Sequence, residues 1–325
     1  MSEIDFSTPT WLITSYHLIG SISIVLNSLG IYLLLWQNEK MGEIRYYLLV
    51  FQIFSALADV SITFLMQPVP LYPLYAGFSM GAFWSLFGLS LHYSLSLTLM
   101  IAILQFEILT VCFAKKHQII ARIVQKRVAP LYLQISFVLF LLVVWCIVII
   151  WLQMVKLTEE EQLVYITESF PELLENFRAL SNFLIYQMTP ETVALILFML
   201  SGGILLFFFF LIFTIDIFRL MYELKLRIST ATYEKHHNAL KCLMVQAGTS
   251  ALCLGPPCLF VVLLLVGVSH IQVIAEILIC VFSGHSSLNI ICLIWFFPPY
   301  RRFFLRVIKK SSLVKISGPA TAIVF

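Results

Sequence analysis

The stretch LYLQISFVLFLLVVWCIVIIW, residues 131–151, contains no Asp, Glu, Lys or Arg. A helix of about 20 apolar residues spans the roughly 30 Å hydrocarbon core of a bilayer, so this stretch predicts a transmembrane helix. The rest of the chain has the same character, because 61% of its 325 residues are hydrophobic and 11% are charged. Ordinary soluble domains are about 25% charged. This composition excludes a water-soluble enzyme, a disordered chain and a nucleic-acid-binding protein.

Charge-free runs recur along the chain and predict an all-α integral membrane protein, a bundle of seven transmembrane helices. Pro68, Pro70 and Pro73 end the second helix, because proline cannot donate a backbone hydrogen bond and restricts the residue before it. The sequence GVSH, residues 267–270, separates the last two helices. The predicted helices cover residues 11–36, 46–67, 82–113, 131–151, 193–218, 242–268 and 271–297.

The distribution of Lys and Arg predicts the orientation of the bundle. Eighteen of the 20 lie in the first, third and fifth connections and in the C-terminal segment, whereas Lys156 and Arg178 lie on the other side. Cytoplasmic loops of membrane proteins carry the excess of basic residues. The N-terminus is therefore expected outside and the C-terminus in the cytoplasm. The N-terminal residues lack the basic segment of a cleaved signal peptide, so we expect the first helix to be its own anchor.

The segment after the seventh helix combines aromatic, aliphatic and basic residues at helical spacing. It reads PPYRRFFLRVIKK over residues 298–310. The pattern favours a short amphipathic helix over residues 299–310 that lies on the anionic inner leaflet of the lipid bilayer. Residues 1–310 are thus predicted to form one seven-helix domain, and residues 311–325 a cytoplasmic tail.

Four polar side chains converge on the inner half of the membrane, and we call Asn27, Asp59, His285 and Asn289 the polar hub. At 1.5 Å per residue, Asp59 lies about 20 Å and His285 about 18 Å from the inner ends of their helices. Ionisable groups at membrane depth are costly and usually face the bundle interior or a cavity. The polar hub either rearranges between inactive and active states or only joins helices by hydrogen bonds.

Three residues near the outer ends of the helices are candidate ligand contacts. Glu276 lies about one and a half turns inside the outer end of the seventh helix, and His92 and Tyr93 lie on the third. They could line a pocket that is open to the outside, where a mostly aromatic and aliphatic cavity favours a small, fairly apolar molecule. A single histidine on an apolar helix is alternatively a packing residue.

Two further features concern the inner half of the bundle. Pro256 and Pro257 lie midway along the sixth helix, where proline removes backbone hydrogen bonds and bends the helix. The pair predicts either a hinge that opens a cytoplasmic crevice or a static kink. Glu107 and Asp216 lie near the inner ends of the third and fifth helices. They either form ion pairs with nearby basic residues or reach the membrane interface alone.

Seven short motifs occur between residue 9 and about residue 306, and their order and spacing carry more information than any one of them. They are PTWLIT (9–14), NSLGIYLLL (27–35), MQPVPLYP (66–73), QFE (105–107), CFAKKHQIIA (112–121), ALCLGPP (251–257) and FPPYR (297–301). Together they resemble the nematode serpentine chemoreceptors, class I, the Sri family, in particular. The class H family is the nearest alternative and implies the same fold and role.

The resemblance implies a G-protein-coupled receptor in the plasma membrane of a sensory cell, including its cilium. Such a receptor binds an external small-molecule ligand and signals through a heterotrimeric G protein, with no cofactor, metal or nucleic acid. Basic residues of the third and fifth connections would face that G protein, unless they serve only to fix topology. They are Lys115, Lys116, Lys225, Arg227 and Lys235.

The chain departs from the rhodopsin-like pattern of receptors at several positions. Ile108 follows Glu107, so the acid-Arg-aromatic triplet at the end of the third helix is missing. Asn289 is not followed by proline. The seventh helix contains no lysine, which excludes a retinal Schiff base of the opsin kind. These departures concern the mechanism of activation more than the fold.

The two rival classes of protein are a transporter or channel and an intramembrane enzyme. Transporters usually show inverted repeats or helices broken at matching positions of two halves, and here only the sixth helix carries a Pro-Pro pair. An intramembrane enzyme needs a catalytic dyad, such as an aspartate in a Gly-x-Gly-Asp context, and none occurs in the sequence. We therefore prefer a receptor without enzymatic activity, and keep a membrane transporter or channel as the alternative.

Overall fold

The structure, a computed structural model, describes residues 4–36, 44–126, 128–266, 272–296 and 300–306. It does not describe the side chains of Lys235 and of residues 252–254, 256–258, 260–261 and 263–266. Residues 300–306 are helical, and the remainder of the predicted amphipathic helix and the tail lie outside the described residues. The outer and inner ends of the helices are those of the predicted orientation.

Eleven α-helices precede this terminal segment in the described part of the chain. They are α1 (Thr10–Trp36), α2 (Ile44–Val60), α3 (Ala82–Phe87), α4 (Leu91–Ile123), α5 (Leu131–Met154), α6 (Glu159–Ser169), α7 (Leu174–Arg178), α8 (Pro190–Lys225), α9 (Thr230–Val266), α10 (Gln272–Ser283) and α11 (His285–Phe296).

Most of these helices correspond to the predicted transmembrane spans. Within the described residues, five helices are long and apolar enough to cross a bilayer: α1, α2 with its continuation to Met66, α4, α5 and α8. Helices α10 and α11 together form a sixth, bent span. Helix α9 covers the described part of the remaining prediction, residues 242–268. Both α8 and α9 extend several turns beyond the predicted inner limits, to Lys225 and from Thr230.

The predicted third span, residues 82–113, is divided in the structure. Helix α3 ends at Gly88, which has a φ of 62° in the left-handed region, and α4 begins at Leu91. Glycine adopts this conformation without the steric cost of a Cβ atom and is the usual residue after the C-terminus of a helix. The charge-free run therefore contains a short outer helix and a separate, longer span.

The second and seventh spans are also irregular. Residues Ser61–Met66 continue α2 as a π-helical turn, and Gln67 closes it with a φ of 46°. The seventh span bends by 45° at Gly284, between α10 and α11. There, the Ser283 hydroxyl donates to the Cys280 carbonyl at 2.8 Å, and side-chain hydrogen bonds of this kind compete with the backbone ladder. The single helix predicted over residues 271–297 is thus two helices.

The outer end of the bundle is covered by a compact structure, which we call the outer cap. It consists of α6, α7 and an antiparallel sheet in the order β1 (Pro68–Pro70), β2 (Ala76–Ser79) and β3 (Phe183–Ile185). Helix α6 begins with a capping box formed by Thr158 and Glu161, and the hydrogen bonds from Thr158 lower the pKa of the Glu161 carboxyl. The cap therefore has its own regular structure.

Two separate hydrophobic cores hold the fold. The outer core joins the ends of α1, the π turn and α4 to the outer cap, and includes Leu12, Tyr16, Met66, Val69, Leu91, Ile166 and Phe177. The inner core joins α2, α4, α8, α9 and α11, and includes Leu48, Phe51, Phe113, Ile120, Leu224, Leu243 and Ile290. The layer between them contains the polar hub.

Candidate functional site

Asp59 and His285 lie side by side in the middle of the bundle. Oδ1 of Asp59 is 3.2 Å from Nδ1 of His285, and both side chains are buried. The other Asp59 oxygen accepts a hydrogen bond of 2.5 Å from the Ser23 hydroxyl. On the other side of the ring, Nε2 of His285 contacts the side-chain amide of Gln105. It lies 2.9 Å from the amide nitrogen of Gln105 and 3.3 Å from the amide oxygen. Four helices, α1, α2, α4 and α11, thus meet at this pair.

Asn27 extends this network towards the inner side. Its amide nitrogen donates to Ser23 at 2.8 Å and to Ser286 at 2.6 Å. Its oxygen accepts from Ser286 at 2.8 Å and also from the amide of Gln52 on α2. The structure therefore brings together three of the four residues of the polar hub.

Asn289, the fourth residue of the polar hub, belongs to a neighbouring contact. Its oxygen accepts a hydrogen bond of 3.1 Å from Thr249 on α9. Several buried polar atoms of α2, α9 and α11 have no protein partner among the described residues: Gln52 Oε1, Ser55 Oγ, Gln246 Nε2 and Oε1, Ser287 Oγ and Asn289 Nδ2. Buried polar groups are almost always hydrogen-bonded to protein or water. This layer therefore offers unused hydrogen-bonding capacity in the middle of an otherwise apolar bundle.

Beside this network lies a cavity of about 480 Å³. Its walls come from the π turn and from α4, α5, α8, α9 and α10, and most of its lining side chains are aliphatic or aromatic. The polar residues in the lining are Thr98, Glu107, Thr110 and Ser250. Volumes of about 300–1,000 Å³ with a mainly apolar lining are typical of small-molecule sites. This cavity is the candidate ligand site.

His92, a predicted ligand contact, lies in a closed hydrogen-bonded network. Nδ1 is 2.8 Å from the hydroxyl of Tyr186, and Nε2 is 3.1 Å from Oε1 of Gln153. The side chain is 2% exposed and does not line the cavity. Burial raises the pKa of the Tyr186 phenol well above its usual range, so that hydroxyl stays protonated. In the structure, His92 joins α4 to α5 and to the segment after β3.

Tyr93 and Glu276 also lie away from the cavity lining. Tyr93 is exposed, its hydroxyl accepts from Lys156 at 3.2 Å, and the Lys156 ammonium lies 4.4 Å from the centre of its ring. Glu276 is buried on α10, one turn after Gln272, which is hydrogen-bonded to the backbone of Asp5. The role of His92, Tyr93 and Glu276 in ligand binding stays a prediction.

On the inner face, basic side chains of α4 are engaged with neighbouring helices. Nζ of Lys115 donates to Gln134 on α5 at 3.0 Å. Lys116 is buried, and its Nζ is 3.1 Å from Nδ1 of His236 on α9. His117 contacts the Asp216 carboxylate on α8 at 2.6 Å. These contacts join α4 to α5, α9 and α8 at the inner end.

The inner extensions of α8 and α9 carry the other basic residues of the prediction. Lys225 is exposed at the end of α8. Arg227 follows it and donates to the backbone carbonyl of Val124 at 3.0 Å, which holds the connection against the end of α4. The side chain of Lys235 lies outside the described residues, as do those of Pro256 and Pro257, which fall within the helical span of α9.

The comparison with protein families accounts for this architecture. The family model described as serpentine type 7TM GPCR chemoreceptor Sri matches residues 2–304. The chain belongs to this family. It is therefore a multi-pass membrane protein with seven transmembrane helices, a chemosensory receptor of the G-protein-coupled type. A search of curated proteins found no match.

For this Sri receptor, several residues of the central network were not predicted from the sequence. They are Ser23, Gln52 and Gln105. A signal was available in the spacing, since Ser23 lies four residues before Asn27 and Gln52 lies seven residues before Asp59, on the same faces of their helices. Asp59 and His285 are ionisable and therefore conspicuous within an apolar helix. Uncharged polar residues are common in membrane helices, so they indicate a site less clearly.

Proposed function

We propose that this receptor binds an external, small and mainly apolar molecule in the cavity between α4, α5, α8, α9 and α10. The supporting observation is the cavity of about 480 Å³, whose lining is almost entirely aliphatic and aromatic. We further propose that it acts in the plasma membrane of a sensory cell, including its cilium, with the N-terminus outside. The 18-to-2 distribution of basic residues supports this orientation.

We propose that the inner ends of α8 and α9 dock the heterotrimeric G protein. They extend past the predicted membrane limits to Lys225 and from Thr230, and the exposed side chain of Lys225 is available to a partner. Contacts between α4 and these two helices, His117 with Asp216 and Lys116 with His236, hold the inner ends together. Ligand binding above them would have to rearrange these contacts to open the docking surface.

Gly203 on α8 offers a direct test of the cavity. It lines the cavity, and a Cβ atom added there meets no heavy atom within 4 Å. Gly203→Phe is expected to occupy part of the cavity with its ring, whereas Gly203→Ala leaves most of the space open and is the matched control. Gly→Ala within a helix also removes a destabilisation of about 0.5–1 kcal/mol, so the control should fold well.

The two variants and the unchanged receptor are expressed in a heterologous cell, and a ligand is found by screening small apolar compounds. Surface level, G-protein activation and ion flux are then measured for each protein. Gly203→Phe should lower potency by about tenfold or more, a loss of at least about 1.4 kcal/mol, while Gly203→Ala retains it. Equal potency in the two variants would contradict the proposed site. Ion flux without G-protein activation would support a channel or transporter instead.

A further inference from the structure

Glu107 is a buried carboxyl group in the lining of the cavity. It is 5% exposed, on α4. Two residues earlier, Gln105 contacts His285. Two residues correspond to a rotation of about 200° around a helix, so Gln105 faces the polar hub while Glu107 faces the cavity. Among the described residues, Glu107 has neither a hydrogen-bond partner nor an ion-pair partner.

Two of the three other polar groups of the lining, Thr98 and Thr110, differ from Glu107 in this respect. The hydroxyl of Thr98 donates to the carbonyl of Ser94, and that of Thr110 donates to the carbonyl of Phe106, both within α4. An ionisable group that is removed from water without a partner is costly, and in membrane proteins such groups usually mark a functional site. The unmatched carboxyl is therefore the distinctive chemical group of the cavity.

The basic residues nearest to Glu107 along α4 are directed elsewhere. Lys115 and Lys116 follow it by eight and nine residues, which is about 12 Å or more along a helix. Lys115 is bonded to Gln134, and Lys116 to His236. Asp216, the other inner acidic residue of the sequence prediction, has its own basic partner in His117. The described part of the chain thus supplies no cation to Glu107.

We infer that the cavity receives a lipophilic amine, whose nitrogen pairs with the carboxyl of Glu107; this inference rests on the proposed function of the cavity. The pair consists of an ammonium and a carboxylate, whether the amine binds as its cation or takes the proton of the carboxyl group on binding, and no other reactant is needed. Hydrogen bonds between two charged groups are roughly twice as strong as neutral ones. The hydrocarbon part of the ligand packs against the aliphatic and aromatic walls.

Matched pairs of compounds test this ligand class on the full-length receptor in lipid nanodiscs. The probes are 2-phenylethylamine and octylamine, each beside the alcohol of the same skeleton, 2-phenylethanol and 1-octanol. The measurement is the shift of the thermal unfolding midpoint with compound concentration, because a ligand that binds only the folded state stabilises it. The amines should produce a given shift at a concentration about tenfold below that of the alcohols, or lower.

Two variants locate the effect. Glu107→Gln keeps the shape of the side chain and removes its charge, so the preference for amines over alcohols should disappear. Thr110→Val lines the same cavity, loses a hydroxyl that is already bonded within α4, and should keep the preference. Equal binding of amines and alcohols by the unchanged receptor, or a preference that survives in Glu107→Gln, would overturn the inference. If Glu107→Gln does not fold, the unchanged receptor alone decides.

Parallel assays of G-protein activation separate this inference from the proposed function. The alcohols could activate the unchanged receptor and Glu107→Gln equally, and fail to activate Gly203→Phe. That result would retain the proposed function and reject an amine as the ligand class. Amine binding that depends on Glu107 without any G-protein activation would retain the inference and reject the function.

Discussion

Nδ1 of His285 lies 3.2 Å from Oδ1 of Asp59, and each residue adjoins a break in its own helix. His285 is the first residue of α11, directly after the bend at Gly284, and Asp59 lies two residues before the π turn that begins at Ser61. Irregular turns of this kind are frequent at functional sites. The buried pair thus links the two places where the second and seventh spans depart from regular α-helix.

Asp59→Asn should impair signalling more than folding. The amide retains the size of the carboxylate and the contact with Ser23, but it removes the negative charge beside His285. Ligand potency or maximal response should therefore fall by about tenfold or more, while surface expression changes little. Ser23→Ala, which removes one hydrogen bond of the same carboxylate, is the control and should have a smaller effect. A normal response of well-expressed Asp59→Asn would show that the polar hub only joins helices.

His92→Phe should lower stability and leave ligand specificity unchanged. The substitution removes two hydrogen bonds of a buried ring, to Tyr186 and Gln153. At about 0.5–1.5 kcal/mol for each bond, and more for a partner left unpaired, we expect a loss of about 1–3 kcal/mol. Thermal unfolding of the purified receptor measures the loss. A change in the rank order of ligands at unchanged stability would instead make His92 a ligand contact.

Gly81→Ala should disrupt the packing of the segment between β2 and α3 against the end of the second span. A Cβ atom at Gly81 would lie 2.3 Å from the backbone oxygen of Leu65, closer than any real contact. The backbone at the π turn would have to move, so little folded receptor should reach the cell surface. Gly203→Ala, where the added methyl group meets open space, provides the comparison. Similar surface levels for the two variants would contradict the close approach at Gly81.

Lys116→Met should raise basal activity. The substitution keeps the length of the buried side chain but removes the interaction between Nζ and Nδ1 of His236, which joins α4 to α9. Without this interaction, the open arrangement of the inner face becomes more populated in the absence of ligand. Lys115→Met, on the adjacent position that contacts α5, is the matched control. G-protein activation without ligand measures both, and equal basal levels would remove Lys116 from the mechanism.

The double variant Lys225→Gln with Lys235→Gln should weaken coupling to the G protein and keep the orientation. Sixteen of the 18 inner basic residues remain, so the positive-inside distribution is retained. Arg227 is left in place because it is bonded to the carbonyl of Val124, and its loss would disturb the inner face for another reason. Unchanged coupling, with the C-terminus still detected inside, would mean that the two charges act on topology alone.

The spans were predictable from the sequence because burial in a bilayer requires long apolar runs, and residues 131–151 show this without ambiguity. The interruptions at Gly88 and Gly284 were not, since a break without charge or proline leaves such a run intact. The core of the polar hub was predictable from depth, because Asn27, Asp59 and His285 lie at similar levels. The contact of His92 with Tyr186 was not predictable, because Tyr186 lies 94 residues away along the chain and follows a strand of the outer cap.

The outer and inner hydrophobic cores are separated by the same intermediate layer. On α1, Tyr16 belongs to the outer core and Leu33 to the inner one, and Ser23 and Asn27 lie between. Protein cores are densely packed and resist deformation, whereas the intermediate layer holds the cavity and several unpartnered polar atoms of the described residues. We therefore expect two stiff ends joined by a more deformable centre. A ligand in the proposed cavity would act on that centre and shift the two ends relative to each other.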